Sequence, residues 1–248
     1  MNPVPEPLSS LLESLSPPVL AFSGGSDSSY LLYACRESKV KVKPIFVKGA
    51  FQTERELQRA KEFCSSLGIP LEILHVDVLS DPAIAANPES RCYLCKSKVF
   101  RMLLDTTDGI VIDGTNASDD FTKRPGMRAL EELGIRSPLR ECGLSKKEIS
   151  ELSRIANLPT WNLPSDSCLA TRIPAGTTIT PELLERTEKA EAEIREIGFS
   201  NFRVRTVGSG ARLETVPSQS GLLESRKTEV VEILLKYYDS VAFAERSG

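Results

Sequence analysis

The sequence predicts an α/β protein: a parallel sheet covered by helices on both faces, followed by a small α+β domain. Three observations predict it. Short apolar runs alternate with amphipathic helical patterns from Val19 to Asp113. Strands separated by helical crossovers pair in parallel and are buried on both sides. The first apolar run ends in Ser23-Gly24-Gly25 and a helical pattern follows at once, which puts a glycine turn at the carboxyl edge of the sheet, where ligands of such folds bind. From Leu158 the texture changes, as Pro159, Pro164 and Pro174 punctuate a stretch rich in Ser and Thr. Domains are therefore expected at residues 1–163 and 164–248.

Each element has its own signal. Leu8, Leu11, Leu12 and Leu15 recur at helical spacing ahead of the first strand, Val19 to Phe22. Ser26 to Arg36 reads as a helix carried by Tyr30, Leu31, Leu32 and Ala34, and Val42 to Val47 as the second strand. Thr53 to Leu67 places Leu57, Ala60, Cys64 and Leu67 on one helical face, and Gly68 stops it. Leu71 to Val78 is the third strand, and Asp81 to Ser90 a proline-bearing loop. Arg91 opens a helix through Val99, Met102 and Leu103, and Gly109 to Asp113 is the fourth strand. Lys123-Arg124-Pro125-Gly126 leads to a short helix ending near Gly134, with Gly126 and Gly143 as turn residues. Ser137-Pro138-Leu139 reads as another strand end. Ser145 with Glu148 three residues on signals a capped helix. In the second domain Thr180 caps a helix with Pro181 at its first position, running to Ile197-Gly198. Phe202 to Val207 and Arg212 to Val216 are expected as strands turned by Gly208-Ser209-Gly210. Leu222 to Tyr238 reads as a helix and Val241 to Ala244 as a last edge strand.

Composition narrows the function. The 248 residues carry 31 Lys+Arg against 34 Asp+Glu, which disfavours a wide basic surface and hence a nucleic-acid partner. No apolar run is long enough for a membrane span, the N-terminus lacks a secretory pattern, and a cytoplasmic location is expected. His75 is the only histidine, which argues against a Ser-His-Asp triad or a His-rich metal site. Cys35 and Cys64 lie in apolar helical patterns and read as core residues, while Cys92 and Cys95 form a CxxC pair that offers two thiolates from one turn to one ion.

The strand–glycine–helix stretch is an anion site. Glycines let the backbone approach a phosphate, and the first amides of a helix lack internal partners. Ser23, Ser26 and Ser28 add hydroxyl donors. No Gly-Lys-Ser/Thr follows, so this is not the lysine-bearing phosphate loop. SGGSDSS instead resembles the PP-loop of enzymes that split ATP into AMP and pyrophosphate, a superfamily with an adenine nucleotide α-hydrolase-like fold. The candidate nucleotide residues are Ala21, Ser23, Gly24, Gly25, Ser26, Asp27 and Ser28, with Gly114, Asn116 and Asp119 from the segment after the fourth strand. Asp119 and Asp120 read equally as Mg²⁺ ligands or as part of an Asx-rich turn.

SGGSDSS, DGTNASDD, the KRPG turn, SPL, PSDSCLATRIPAG and RVR are similar, in that order, to the LarE family across residues 19–216. The resemblance implies an ATP-dependent sulfur transferase of nickel-pincer cofactor biosynthesis, acting on a pyridinium mononucleotide carboxylate and assembling as a homo-oligomer. It implies that Cys168 is the sulfur-bearing cysteine and, with Asp27, a catalytic residue. Cys92, Cys95 and Cys168 together suit a [4Fe-4S] cluster with one open iron; a sacrificial Cys168 and a zinc site are the other readings. Cys142 lies outside any matching motif. Arg203 and Arg205 stand two apart on a strand and share a face, suiting a substrate phosphate or carboxylate, with Arg172 and Glu214 as further substrate residues. Glu191 reads as a solvated helix position. Lys123, Ala175 and Thr206-Val207 depart from the family pattern, so the acceptor pocket is expected to differ. A PP-loop tRNA thiolase, an ammonia-using synthetase of the NAD or GMP type and a nucleotide-responsive redox sensor are the alternative functions.

Overall fold

A computed structural model describes residues 3–120, 125–164 and 167–246. The positions Lys123, Arg124, Ser165 and Asp166 named above lie outside the described residues. The chain divides into two compact units, Met1–Val78 with Ser90–Asp166, and Leu79–Glu89 with Ser167–Gly248.

In the first unit β1 (Val19–Ala21), β2 (Lys43–Lys48), β3 (Glu72–His75) and β4 (Val111–Ile112) form one sheet in the order β3-β2-β1-β4. All its pairings are parallel. Alternation along the strands sends side chains to two separate cores, as the period of two requires. Leu20, Phe46 and Ile112 join α1 (Glu6–Ser14), α2 (Ser26–Glu37), α3 (Glu54–Ser66) and α8 (Lys146–Ile155) on one face. Val19, Ile45 and Val111 join Phe100, Leu103, Met127 and Leu130 of α5 (Arg91–Asp105) and α6 (Pro125–Glu132) on the other. This is the expected sheet with both faces covered. Thr53 and Ser145 each build a full capping box, with Glu56 and Glu148, at the starts of α3 and α8.

Three local expectations change. Ser137-Pro138-Leu139 is not a strand end: Pro138 opens a one-turn helix, α7 (Pro138–Glu141), because its fixed φ suits the first helical position. The sheet contact is made one step earlier, where Arg136 donates its N–H to Val111 and accepts at its carbonyl from Asp113. Gly126 is not a turn residue but lies in α6, where a Cβ would come 3.1 Å from Cys92 Sγ and 2.9 Å from Lys96 Cδ. The segment from Asp81 contains a short helix, α4 (Pro82–Ala85), capped by the Asp81 side chain on the Ala83 N–H.

The second unit, taken alone, is a three-stranded sheet in the order β5-β6-β7, formed by β5 (Phe202–Val207), β6 (Gly210–Thr215) and β7 (Val241–Glu245). β5 and β6 are antiparallel, and β6 and β7 parallel. The hairpin turn is two residues, Gly208-Ser209, since Gly210 already pairs with Val207. Phe202, Val204 and Leu213 face α9 (Pro181–Glu196) and α10 (Ser220–Leu235) in a compact core with Ile194, Val230 and Leu234. Asn87, which is buried with φ 54°, donates its side-chain amide to the carbonyls of Ile173 and Pro174. Ile179 and Gly176 donate their N–H groups to Ala85 and Asn87, so residues 79–89 are knitted to the segment after Cys168.

Candidate functional site

β1 delivers the chain to Ser23, and α2 begins at Ser26. Gly24 is left-handed at φ 68°, and a Cβ there would lie 3.1 Å from both Cα and Cβ of Ala60 in α3. Arg59 fixes the same contact by donating Nε–H to the Gly24 carbonyl at 2.9 Å. Gly114, just beyond β4, comes closer still, and a Cβ on it would stand 2.9 Å from the Ser28 nitrogen. The loop is thus seated between backbone and backbone, with glycine required at each touching point. Gly25 is the N-cap residue and no side chain caps it, which leaves the α2 N-terminus with its positive dipole end available to an anion. Ser23 Oγ and Ser28 Oγ are 3.0 Å apart, and Ser28 also reaches the Gly25 carbonyl at 3.2 Å.

Asp27 is the hub of the loop. Its Oδ1 accepts from Lys146 Nζ at 2.5 Å and its Oδ2 from Asn116 Nδ2 at 3.1 Å. Lys146 Nζ also stands 2.5 Å from Ser26 Oγ. Asn116 in turn is fixed by its own turn, its Oδ1 accepting from the Ser118 N–H at 2.8 Å and its N–H donating to Asp119 Oδ2 at 3.0 Å. Asn116 thus closes an Asx turn through Ser118, and Asp119 accepts the N–H at the start of the same turn. Asp113 supports the segment from beneath, accepting from Thr115 Oγ1 at 2.6 Å and Ser137 Oγ at 2.7 Å. The sequence named Ser23 to Ser28, Gly114, Asn116 and Asp119 as candidates; the structure brings Lys146 and Arg59 to the same loop, and the sequence did not name them. The helix start at Ser145 was legible; that its first lysine reaches the loop was not.

The cysteines separate by burial. Cys35 and Cys64 are core residues, and burial pushes each thiol up to about 12, so neither is a nucleophile at neutral pH. Burial, and then the neighbouring Glu141, raise Cys142. Cys92 is exposed and Cys95 and Cys168 are partly exposed. Cys92 and Cys95 lie one turn apart on α5 in the first unit, while Cys168 precedes a 3-10 turn, Leu169–Arg172, in the second. Among the described residues no group of three or more His, Cys, Asp and Glu side chains is gathered as a metal site. The donor chemistry nonetheless suits iron–sulfur binding, because two accessible thiols one helical turn apart present soft ligands to one ion.

The second unit carries a cavity of about 540 Å³ lined by Arg172, Arg203, Arg205, Arg212 and Arg246 against Glu214 and Glu245. Arg203, Arg205, Arg212 and Glu214 share the sheet face away from the helices, since Arg203 pairs with Glu214 and Arg205 with Arg212 across the hairpin. Arg205 Nε donates to Glu214 at 2.7 Å and its terminal nitrogen to the Thr171 carbonyl at 2.7 Å. Arg212 approaches the other Glu214 oxygen at 3.1 Å. Arg172 is buried and fully engaged, with Nε on Glu191 at 2.8 Å and a terminal nitrogen on the Ser167 carbonyl at 2.7 Å. Glu191 is not a solvated helix position. It is 1% exposed and also accepts from Arg195 at 3.0 Å and from the Val204 N–H at 3.0 Å. It was misread because an acidic residue in α9 looks like a surface residue until its two arginines, distant in sequence or one turn on, are placed against it.

Arg203 differs from its neighbours. Among the described residues its guanidinium has no hydrogen-bonding partner, and only the charge of Glu214 favours it. Burial, then Arg246, Arg172 and Arg205, depress its guanidinium to about 10. A lowered value on a base means that folding disfavours its charge, so the group opposes stability at neutral pH and relief comes only as pH rises through that value. An anion relieves the same crowding at neutral pH. Inorganic phosphate is expected to raise the melting temperature, by an amount equivalent to about 1.4 kcal/mol at ten times its dissociation constant. Arg203→Met should raise the melting temperature without phosphate and shrink the phosphate effect; thermal unfolding with and without the anion checks both.

Comparison with known proteins places this chain among PP-loop proteins. The family described as "Queuosine biosynthesis protein QueC" matches residues 18–91. The uncharacterized protein slr1717 of Synechocystis is 36% identical over 207 residues, covering 81% of this chain and 77% of its own length. The uncharacterized protein MJ0830 of Methanocaldococcus jannaschii is 31% identical over 226 residues, with coverage of 89% and 84%. Pyridinium-3,5-bisthiocarboxylic acid mononucleotide synthase of Lactiplantibacillus plantarum is 29% identical over 216 residues, with coverage of 85% and 78%. Among the described residues no helix is long and apolar enough to cross a membrane.

Proposed function

This chain belongs to the LarE family of PP-loop proteins, and from that premise we propose that it is an ATP-dependent sulfur transferase converting a carboxylate to a thiocarboxylate. The observation that carries the ATP half is the glycine-seated loop at the uncapped N-terminus of α2. The arginine cavity supports an acceptor that is a small anion, a pyridinium mononucleotide bearing carboxylate and phosphate. In the first half-reaction a carboxylate oxygen bonds to the α-phosphorus of ATP, the bond to the β-phosphate oxygen breaks, and pyrophosphate leaves. In the second, a sulfur nucleophile bonds to the acyl carbon, the bond to the AMP oxygen breaks, and AMP leaves with the electron pair. Adenylation is needed because a free carboxylate has no adequate leaving group.

The loop residues divide the work. The α2 amides and the hydroxyls of Ser23, Ser26 and Ser28 would hold the phosphates being released. Asp27 would hold Mg²⁺ shared with phosphate oxygens, since this ion takes one or two carboxylates and completes its shell from substrate and water. Cys92, Cys95 and Cys168 would hold the [4Fe-4S] cluster, which when bound supplies an iron open to sulfide. A cytoplasmic homo-oligomer belongs to the same proposal.

Incubation of the anaerobically reconstituted protein with ATP, sulfide and pyridinium-3,5-biscarboxylic acid mononucleotide is expected to give AMP, pyrophosphate and a product with oxygen replaced by sulfur, read by mass spectrometry. Cys168→Ala should keep pyrophosphate release and lose the sulfur-bearing product. Anaerobic reconstitution should give bound iron and sulfide that Cys92→Ala removes. A protein that stays iron-free, and whose mass falls by one H₂S on turnover, overturns the cluster and makes Cys168 the sulfur source. Pyrophosphate release that survives only with ammonia, and yields an amide, overturns sulfur transfer itself.

A further inference from the structure

Resting on the ATP reading above, the geometry points to Lys146 as a positioning residue that holds the place of a divalent cation at Asp27 and passes to the phosphates when the metal nucleotide binds. Its ammonium sits 2.5 Å from both Asp27 Oδ1 and Ser26 Oγ, at the N-terminal end of α2. A helix N-terminus repels a cation. Lys146 is therefore held there by Asp27 and not by the helix.

The backbone that carries it is fixed on three sides. The Lys146 N–H donates to Ser118 Oγ at 3.0 Å, Leu144 accepts from the Ala117 N–H at 2.8 Å, and the Ser145–Glu148 capping box sets the start of α8. The side chain is the movable part. Lys146 and Asp27 side chains are 42% and 21% exposed, so neither is locked in by packing, and a four-carbon stem can swing its charge without moving the helix. Asn116 donates to Asp27 Oδ2 and Ser26 Oγ stands 3.3 Å from Oδ1, so the ammonium at Oδ1 is the one cation on this carboxylate among the described residues. A Mg²⁺ ion bound at that oxygen would stand within a few ångströms of the ammonium, and two cations so close repel, so the metal displaces the lysine. The displaced ammonium stays tethered beside Ser26, beside the loop that receives the phosphates, where its three donors can neutralise the charge the metal does not cover.

This arrangement predicts opposite effects on metal and on nucleotide. By titration calorimetry on the full chain, Lys146→Met should bind Mn²⁺ alone about two- to fivefold more tightly, as expected for removing one competing, partly exposed ion pair. The same variant should bind the non-cleavable analogue α,β-methylene-ATP with Mg²⁺ about tenfold or more weakly, as expected for losing a charged hydrogen bond. Lys146→Arg, which keeps the charge, should restore most of the nucleotide affinity. A purely structural lysine would weaken both titrations together, and either that result or an unchanged Mn²⁺ affinity overturns the inference. Failure of the wild-type chain to bind the analogue at all would instead overturn the ATP reading on which it rests.

Discussion

Replacing Glu191 with alanine is expected to lower the stability of the protein by about 3–5 kcal/mol, the range for removing one partner of a buried ion pair. The carboxylate is 1% exposed and holds two oxygens on Arg172, one of them shared with Arg195, while also accepting the Val204 N–H. Its removal leaves the 3% exposed Arg172 guanidinium without its counter-charge and a strand N–H without an acceptor inside β5. Water cannot reach either group to compensate. Denaturant unfolding followed at several wavelengths checks the value, and the second unit should unfold first. Glu191→Gln should be milder for Val204 and still severe for the two arginines. A combined Arg172→Met, Glu191→Met variant should recover part of the loss, because the larger penalty comes from the stranded charge. A loss below about 1 kcal/mol for Glu191→Ala would show that the pair is not isolated from solvent as the geometry requires. Since Arg172 reaches Ser167 and Arg205 reaches Thr171, weakened phosphate binding in the cavity should accompany the lost stability.

Gly24→Ala is expected to cut nucleotide affinity by at least about tenfold, equivalent to about 1.4 kcal/mol. Two penalties combine. A left-handed φ costs an L-residue about 1–2 kcal/mol, and the added methyl would meet the backbone of Ala60 at 3.1 Å. That neighbour belongs to α3 and cannot rotate away, so the loop must lift, and the Arg59 bond to its carbonyl goes with it. Gly25→Ala is the internal comparison. Its φ is ordinary, −78°, and the nearest atom is Ser23 Oγ at 3.4 Å, so its effect should be several-fold smaller. Binding of a fluorescent ATP analogue to both variants measures the difference. Equal losses in the two variants would mean that backbone flexibility, and not the seat on α3, governs the loop.

The parts of the molecule written in local pattern were legible in the sequence. The four strands of the parallel sheet, the glycine loop and the capping residues Ser145 and Thr180 stand where periodicity and capping rules put them. The shared face of Arg203 and Arg205 followed from the strand period alone. What was not legible depends on partners far away along the chain. Pro138 looks the same at a strand end as at the first position of a helix, and the sheet contact that separates the two is made by Arg136, whose pairing with Val111 and Asp113 lies far away along the chain. Glu191 and Lys146 look like surface charges until the fold sets them against Arg172 and Asp27. Gly126 looks like a turn glycine, yet it lies in a helix and leaves room for Cys92.

The knitting of residues 79–89 to the stretch after Cys168 has a consequence for how the protein is made. Ala85 and Asn87 leave the ribosome well before Gly176 and Ile179, which supply their backbone partners. During synthesis this segment must wait, with its hydrogen-bonding groups facing water, until those partners emerge. No single cut in the chain separates the two units, because the first is interrupted by a piece of the second. Emergence of Gly176 and Ile179, and not completion of the ATP loop, is thus the moment at which the stretch leading into Cys92 acquires its final anchor.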